Sequence, residues 1–165
     1  MASQALDSVD LEILSALQED GRMTNVELAA RVGLTAPPCL RRVRSLEQAG
    51  VIKGYHARLD STALGYGITI FAMVSLKSQA EHELRAFEEH VALLPEVREC
   101  HMLNGEIDFI LKIVAPDLQS FQRFLTSELT TAPNVASEKT SLTIRTSKDS
   151  HGEPIAGAAP SFDNE

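Results

Sequence analysis

The chain has 165 residues, a net charge of −8, 44% hydrophobic and 23% charged residues, and no Trp. That length holds one medium domain or two small ones, and the composition excludes a largely disordered or collagenous chain. No apolar run reaches the ~18 residues that span a bilayer, no secretory pattern opens the chain, and Cys39 and Cys100 fall in different predicted domains, so a reducing, cytoplasmic setting is expected. With aromatics at 5%, aliphatic cores are expected.

In chain order, Asp7 caps a first helix with Asp10 three residues on, Ile13, Leu14 and Leu17 lie on one face together with Leu6, and Gly21 ends it. Thr24 opens a second helix, and Thr24 with Glu27 has capping-box spacing. Leu28 and Val32 face inward, and Gly33 suits a left-handed terminus. Thr35 caps a third helix whose first turn holds Pro37 and Pro38, where missing N–H donors cost little. Leu40, Val43 and Leu46 form its expected buried stripe, Gly50 stops it, and residues 51–59 read as a short β hairpin, a wing. After the Gly65-Tyr66-Gly67 punctuation come a strand over 68–76, a helix over 81–94, strands over 97–103 and 109–114 around Asn104-Gly105, a helix capped by Asp117, and a strand over 135–145. In that helix Leu118, Phe121, Leu125 and Leu129 are expected inward. The order β-α-β-β-α-β is that of ferredoxin-like domains. On the first strand Phe71 and Met73 make the second face partly apolar, so a partner is expected to cover it.

The predicted fold class is therefore α+β: an N-terminal winged helix-turn-helix followed by a ferredoxin-like β-α-β-β-α-β domain. The expected boundaries are 1–60 for the DNA-binding domain, 61–66 for a linker, 67–148 for an assembly and effector domain, and 149–165 for a disordered tail rich in Gly, Pro, Ala and acids.

Charge is unevenly placed. Between Arg31 and Arg58 lie six basic residues (Arg31, Arg41, Arg42, Arg44, Lys53, Arg58) and one acid, Glu47. A basic island in an acidic chain marks a candidate phosphate footprint, or else a solvated basic face. The third helix is basic and follows a Gly turn, as in helix-turn-helix proteins, whose second helix enters the major groove. Arg41, Arg44, Ser45 and Gln48 share one face, with Arg42 beside them. Thr35 would offer a hydroxyl, Pro37 and Pro38 apolar contact to a thymine methyl, and Lys53, His56 and Arg58 phosphate contacts. Arg42 has an alternative use in an ion pair within the domain, Thr35 one as a plain cap, and Cys39 reads as a small core filler.

Enzyme chemistry finds little support. Cys100 and His101 are adjacent on a strand and point to opposite faces. His82 and His90 have no third ligand at metal spacing. Gly65-x-Gly67 lacks the third Gly of a dinucleotide fingerprint.

Residues 7–59 resemble the N-terminal domain of the leucine-responsive regulatory protein/AsnC family. The resemblance rests on the Asp10–Leu17 helix with Gly21-Arg22, on Asn25-Val26-Glu27-Leu28, Arg31-Val32-Gly33-Leu34, Pro38-Cys39-Leu40, Arg42-Val43 and Leu46-Glu47, and on Gly50 to Ile52 with Gly54 and Tyr55. It continues through Glu99-Cys100-His101, Gly105, Asp108, Leu111-Lys112 and Pro116-Asp117, covering about residues 7–148. It implies a transcriptional regulator that binds double-stranded DNA, dimerises through its sheet and associates further into tetramers or octamers. It implies no cofactor but an amino-acid effector, bound near the turn after the second strand. Here that region is Leu103, Asn104, Gly105, Glu106 and Asp108, with Thr140, Leu142 and Thr143 of the last strand lining the same pocket. A zwitterion needs N–H groups for its carboxylate and an acid, Asp108 or Glu106, for its ammonium. Asn-Gly is equally the commonest hairpin turn, so turn and ligand readings both stand. Glu138 takes a place where relatives often carry Thr.

Overall fold

The computed structural model describes residues 6–150 and 152–155. The chain forms two compact units: Met1–Arg58 together with Lys148–Glu165, and Leu59–Ser147.

The first unit is built on α1 (Ser8–Glu19), α2 (Asn25–Arg31) and α3 (Ala36–Gln48). Local chemistry sets their starts. Asp7 accepts the Asp10 N–H at 2.8 Å and Asp10 reaches back to the Asp7 N–H, a reciprocal cap, and Thr24 and Glu27 make the same box on α2. Gly33, at φ 67°, makes the left-handed turn between α2 and α3 that a β-carbon would penalise. Ile13, Ala16, Leu28, Ala29, Val32, Cys39, Val43 and Leu46 form an aliphatic core, with Ile52 packed against it. On α3 the buried set is Cys39, Val43 and Leu46, and Leu40 is exposed. The helix is rotated from the expected stripe because the small thiol fits where a leucine would not. Leu6 also lies at the surface.

The expected hairpin over 51–59 does not form: residues 53–60 carry no strand. A two-stranded ribbon with no third strand beside it is marginal. The segment is instead pinned by the Tyr55 hydroxyl, which donates to Glu47 at 3.1 Å.

The second unit is a four-stranded antiparallel sheet ordered β2-β3-β1-β4, from β1 (Ile68–Leu76), β2 (Val97–Met102), β3 (Phe109–Ala115) and β4 (Val135–Leu142). The helix α4 (Glu81–Ala92) lies between β1 and β2 in the chain, and α5 (Leu118–Phe124), extended by a wider turn over Leu125–Leu129, lies between β3 and β4. Cross-strand pairs Ile70–Ile113, Ala72–Leu111 and Val74–Phe109 lay one apolar face under Leu84, Phe87 and Val91 of α4 and Phe121 and Phe124 of α5. This core is not purely aliphatic. Four of the six phenylalanines fill it, and the Phe87 and Phe109 rings stack at 4.8 Å. Leu118, expected inward, is exposed, and the buried residues of the helix are Phe121 and Phe124. β4 ends at Leu142, short of the expected residue 145.

The opposite sheet face carries Phe71, 37% exposed, beside half-buried Met73 and Ile110. On β2 and β3 it holds Glu99, bonded to Lys112 at 2.8 Å and His101 at 3.3 Å.

Several carboxylates sit below their ordinary values. Asp7 is lowered by the Asp10 N–H and by Arg42, Glu27 by Thr24, Asp117 by the Ser120 N–H, and Glu99 by Lys112 and then His101. A depressed folded pKa contributes stability above the unfolded value that is lost as pH falls through the folded one. The melting temperature should therefore be flat from neutral pH down to the ordinary values of 3.8 and 4.5, then fall. Thermal melts across pH check this, and a melting temperature unchanged at pH values well below that range would contradict it.

Candidate nucleic-acid interface and effector loop

The basic island divides into two sets. Arg42 bonds Asp7 at 2.8 Å and Asp10 at 2.7 Å, tying α3 to the capped start of α1. The two carboxylates raise its pKa, so it is a fixed cation of the fold. Arg31 pairs with Glu19 and Arg58 with Asp149. Of the two uses expected for Arg42, the structure shows the ion pair within the domain, made through one guanidinium nitrogen of a half-exposed side chain. Arg41, Arg44 and Lys53 are exposed and, among the described residues, enter no ion pair.

On the same side of α3, Gln48 is exposed and Ser45 half-buried. At its start Pro37 is exposed, Pro38 half-buried and Thr35 exposed. Thr35 occupies the cap position, yet its side chain makes no capping bond. The cause is in the sequence. A cap hydroxyl accepts from the second or third helical N–H, and here those residues are Pro37 and Pro38, which have none. Exposed Thr35 thus keeps its hydroxyl out of the helix's own capping. Asn25, whose role the sequence did not disclose, donates from Nδ2 to the Ala36 carbonyl at 2.8 Å and fixes α2 against this first turn. Nothing distinguished it except its place just after a capping box.

In the second unit, residues 103–108 join β2 to β3. Neither Asn104 nor Gly105 has the positive φ that a two-residue Asn-Gly hairpin demands. The loop is framed by Asp108 instead. Asp108 is buried; its Oδ2 accepts the Leu76 N–H at 2.6 Å and its Oδ1 accepts Gln79 Nε2 at 2.7 Å. Its own N–H donates to Val74 and its carbonyl accepts from Leu103. Both carboxylate oxygens thus serve internal donors, and of the two acids expected to meet a ligand ammonium Glu106 is the exposed one. Gln79 was missed because only the register of β1 brings it there. Leu103, Asn104 and Gly105 are exposed, and a β-carbon on Gly105 would meet nothing within 4 Å.

Thr140 and Leu142 stand at different levels of the sheet relative to this loop. They pair with Ala72 and Ile70, whereas the loop lies beside Val74 and Leu76. At ~3.4 Å per residue, Ile70 and Leu76 are about 20 Å apart along the strand. Glu138, opposite Val74, is the β4 residue at the level of the loop. Thr143 lies past the end of β4, where its N–H donates to the Thr69 carbonyl. On exposed Cys100, desolvation and then Glu88 push the thiol up to about 11.

The caps give a direct test. Thr24→Ala should cost about 1 kcal/mol of stability in denaturant melts, whereas Thr35→Ala should stay within about 0.5 kcal/mol of wild type. Equal losses at both positions would mean that Thr35 does cap.

Residues 69–152 match the Lrp/AsnC ligand binding domain family, and residues 6–53 match the winged helix-turn-helix DNA-binding family. A leucine-responsive regulatory protein of Rhizobium meliloti (strain 1021) is 56% identical over 144 residues, covering 87% of this chain and 92% of that protein. The Bkd operon transcriptional regulator of Pseudomonas aeruginosa is 43% identical over 140 residues, covering 85% and 92%. Among solved structures, a transcriptional regulator from Neisseria meningitidis in complex with L-methionine superposes with a TM-score of 0.87 at 36% identity, covering 92% of this chain and 98% of that one. An AsnC family transcriptional regulator from Agrobacterium tumefaciens gives 0.85 at 29% identity, covering 91% and 97%.

Proposed function

The chain belongs to the Lrp/AsnC family of transcriptional regulators, with a helix-turn-helix DNA-binding domain and a ligand-binding domain, and on that premise we propose how its residues divide the work. The domain limits are 1–60, a linker over 61–66, and 67–148. Helix α3 enters the major groove, with Arg41, Arg44, Ser45 and Gln48 toward base edges and phosphates, and Thr35, Pro37 and Pro38 at its leading end. Lys53 adds a phosphate contact, and so does Arg58 once it parts from Asp149. The carrying observation is the division of the basic island: Arg42 and Arg31 hold the helices together, while Arg41, Arg44 and Lys53 face outward. Relatives named as transcriptional regulators support a binding rather than a catalytic role.

Two such heads must be held in register to read a twofold operator. The sheet face with Phe71, Met73 and Ile110 is the surface that a second copy would cover. The effector is an amino acid, a reading supported by the L-methionine complex of the Neisseria regulator. Its carboxylate would approach the open backbone at Asn104-Gly105 and its ammonium would meet Glu106. Leu103 would contact its side chain, and Asp108 would hold the loop in shape. Leu142, opposite Ile70 at the far level of the sheet, would line a shared pocket only from another copy, whereas Thr140, opposite Ala72, lies between the two levels.

Binding to a duplex from just upstream of the chain's own coding region, titrated across salt, tests the DNA surface. Exchanging both Arg41 and Arg44 for Gln should weaken binding at least about tenfold and reduce the log–log salt slope by about 2. Sedimentation should show the same oligomer in both proteins. Wild-type affinity in the double variant would sink the docking, and a monomeric wild type would sink the twofold arrangement.

The loop is tested by adding a mixed pool containing L-methionine and L-leucine to the same titration. Wild-type binding should shift with the pool. Gly105→Leu should keep its melting temperature, since its β-carbon enters open space, and lose the shift. A retained shift would move the ligand off this loop.

A further inference from the structure

Beyond β4 the chain returns to the first unit. The expectation of a disordered tail over 149–165 falls largely on residue 151 and residues 156–165, outside the described residues, but residues 149–155 include firm contacts. Asp149 pairs with Arg58. The amide of Gln18, on α1, grips the backbone of Glu153 at both ends: Nε2 donates to its carbonyl at 3.0 Å, and Oε1 accepts its N–H at 2.6 Å. Gly152, just before, has φ 85°, and a β-carbon there would stand 2.4 Å from Gln18 Oε1. Backbone conformation and the gripping amide both select glycine at this position.

The charge of the segment gives the grip a meaning. From residue 149 onward the sequence holds Asp149, Glu153, Asp163 and Glu165 and neither Lys nor Arg. An acidic peptide is thus fastened to the unit that carries the basic island. One of its carboxylates occupies the guanidinium of Arg58 with the same kind of charge-assisted hydrogen bond that a phosphate oxygen would make.

We propose that residues 149–150 and 152–155 act as an acidic strap that competes with the DNA backbone for the first unit, clamped by Gln18 and released when DNA binds. The proposal rests on the DNA-binding role assigned to that unit. The strap is weak by construction. The Arg58–Asp149 pair is exposed on both sides, and exposed pairs contribute little, so the strap tunes affinity without blocking binding.

The full chain is compared with Gln18→Ala, Gly152→Val and Asp149→Asn by two readouts: trypsin cleavage at Arg145 and Lys148, and affinity for a random-sequence duplex at low salt. Each variant should be cleaved faster than wild type and should bind about two- to fivefold tighter. Added duplex should speed cleavage of the wild type. Faster cleavage with unchanged or weaker DNA affinity would make the clamp merely structural and overturn the proposal, as would unchanged cleavage in all three variants. If cleavage responds as stated but neither wild type nor variants bind the duplex, the DNA-binding role itself fails, and the competition with it.

Discussion

Arg42 is the contact on which the DNA-binding unit depends. One guanidinium nitrogen joins the two acids that cap α1, so the same carboxylates start one helix and hold another. Besides Arg42, helix α3 rests on the apolar contacts of Cys39, Val43 and Leu46, which resist separation better than rotation, and on the Asn25 bond to its first turn. A directional ionic contact on one side fixes the roll of α3 about its axis. That roll decides whether Arg41 and Arg44 face solvent. Cys39 fits the same arrangement: a larger residue at that fully buried position would push the helix outward.

Much of this was legible in the sequence, and what was legible was local. Asp7, Thr24 and Asp117 announce helix starts because their partners lie three residues away. The alternation of Ile70, Ala72, Val74 and Leu76 announces a strand with one buried face, and the element order announces the topology. Contacts from afar were not legible. Arg42 finds its acids more than thirty residues away, and Gln79 reaches Asp108 across the sheet, so neither leaves a spacing signature. Leu40 was expected inward because it fits a helical repeat to within one position and hydrophobicity favours leucine, whereas Cys39 is the core filler it was expected to be. Thr35 illustrates a third case. The sequence held the full answer, since Pro37 and Pro38 remove the donors that a cap would use, but the answer comes from a missing group rather than from a motif.

The second unit separates stability from recognition across its sheet. Phe87, Phe109, Phe121 and Phe124 give one face a dense core, while the other face carries Phe71, Met73 and the Glu99–Lys112–His101 group. The loop over 103–108 owes its shape to Asp108, a buried charge satisfied by two side-chain acceptor bonds. That arrangement leaves the outer backbone of the loop exposed while its base stays fixed.

The division of the first unit between the two ends of the chain also sets an order of assembly. On the ribosome, segments emerge and fold from the N-terminus. The three helices hold a complete aliphatic core of their own, so they can close while the sheet is still being made. Gln18 must wait until Glu153, 135 residues downstream, has been synthesised. A nascent chain would therefore close its helices before this contact between distant segments can form.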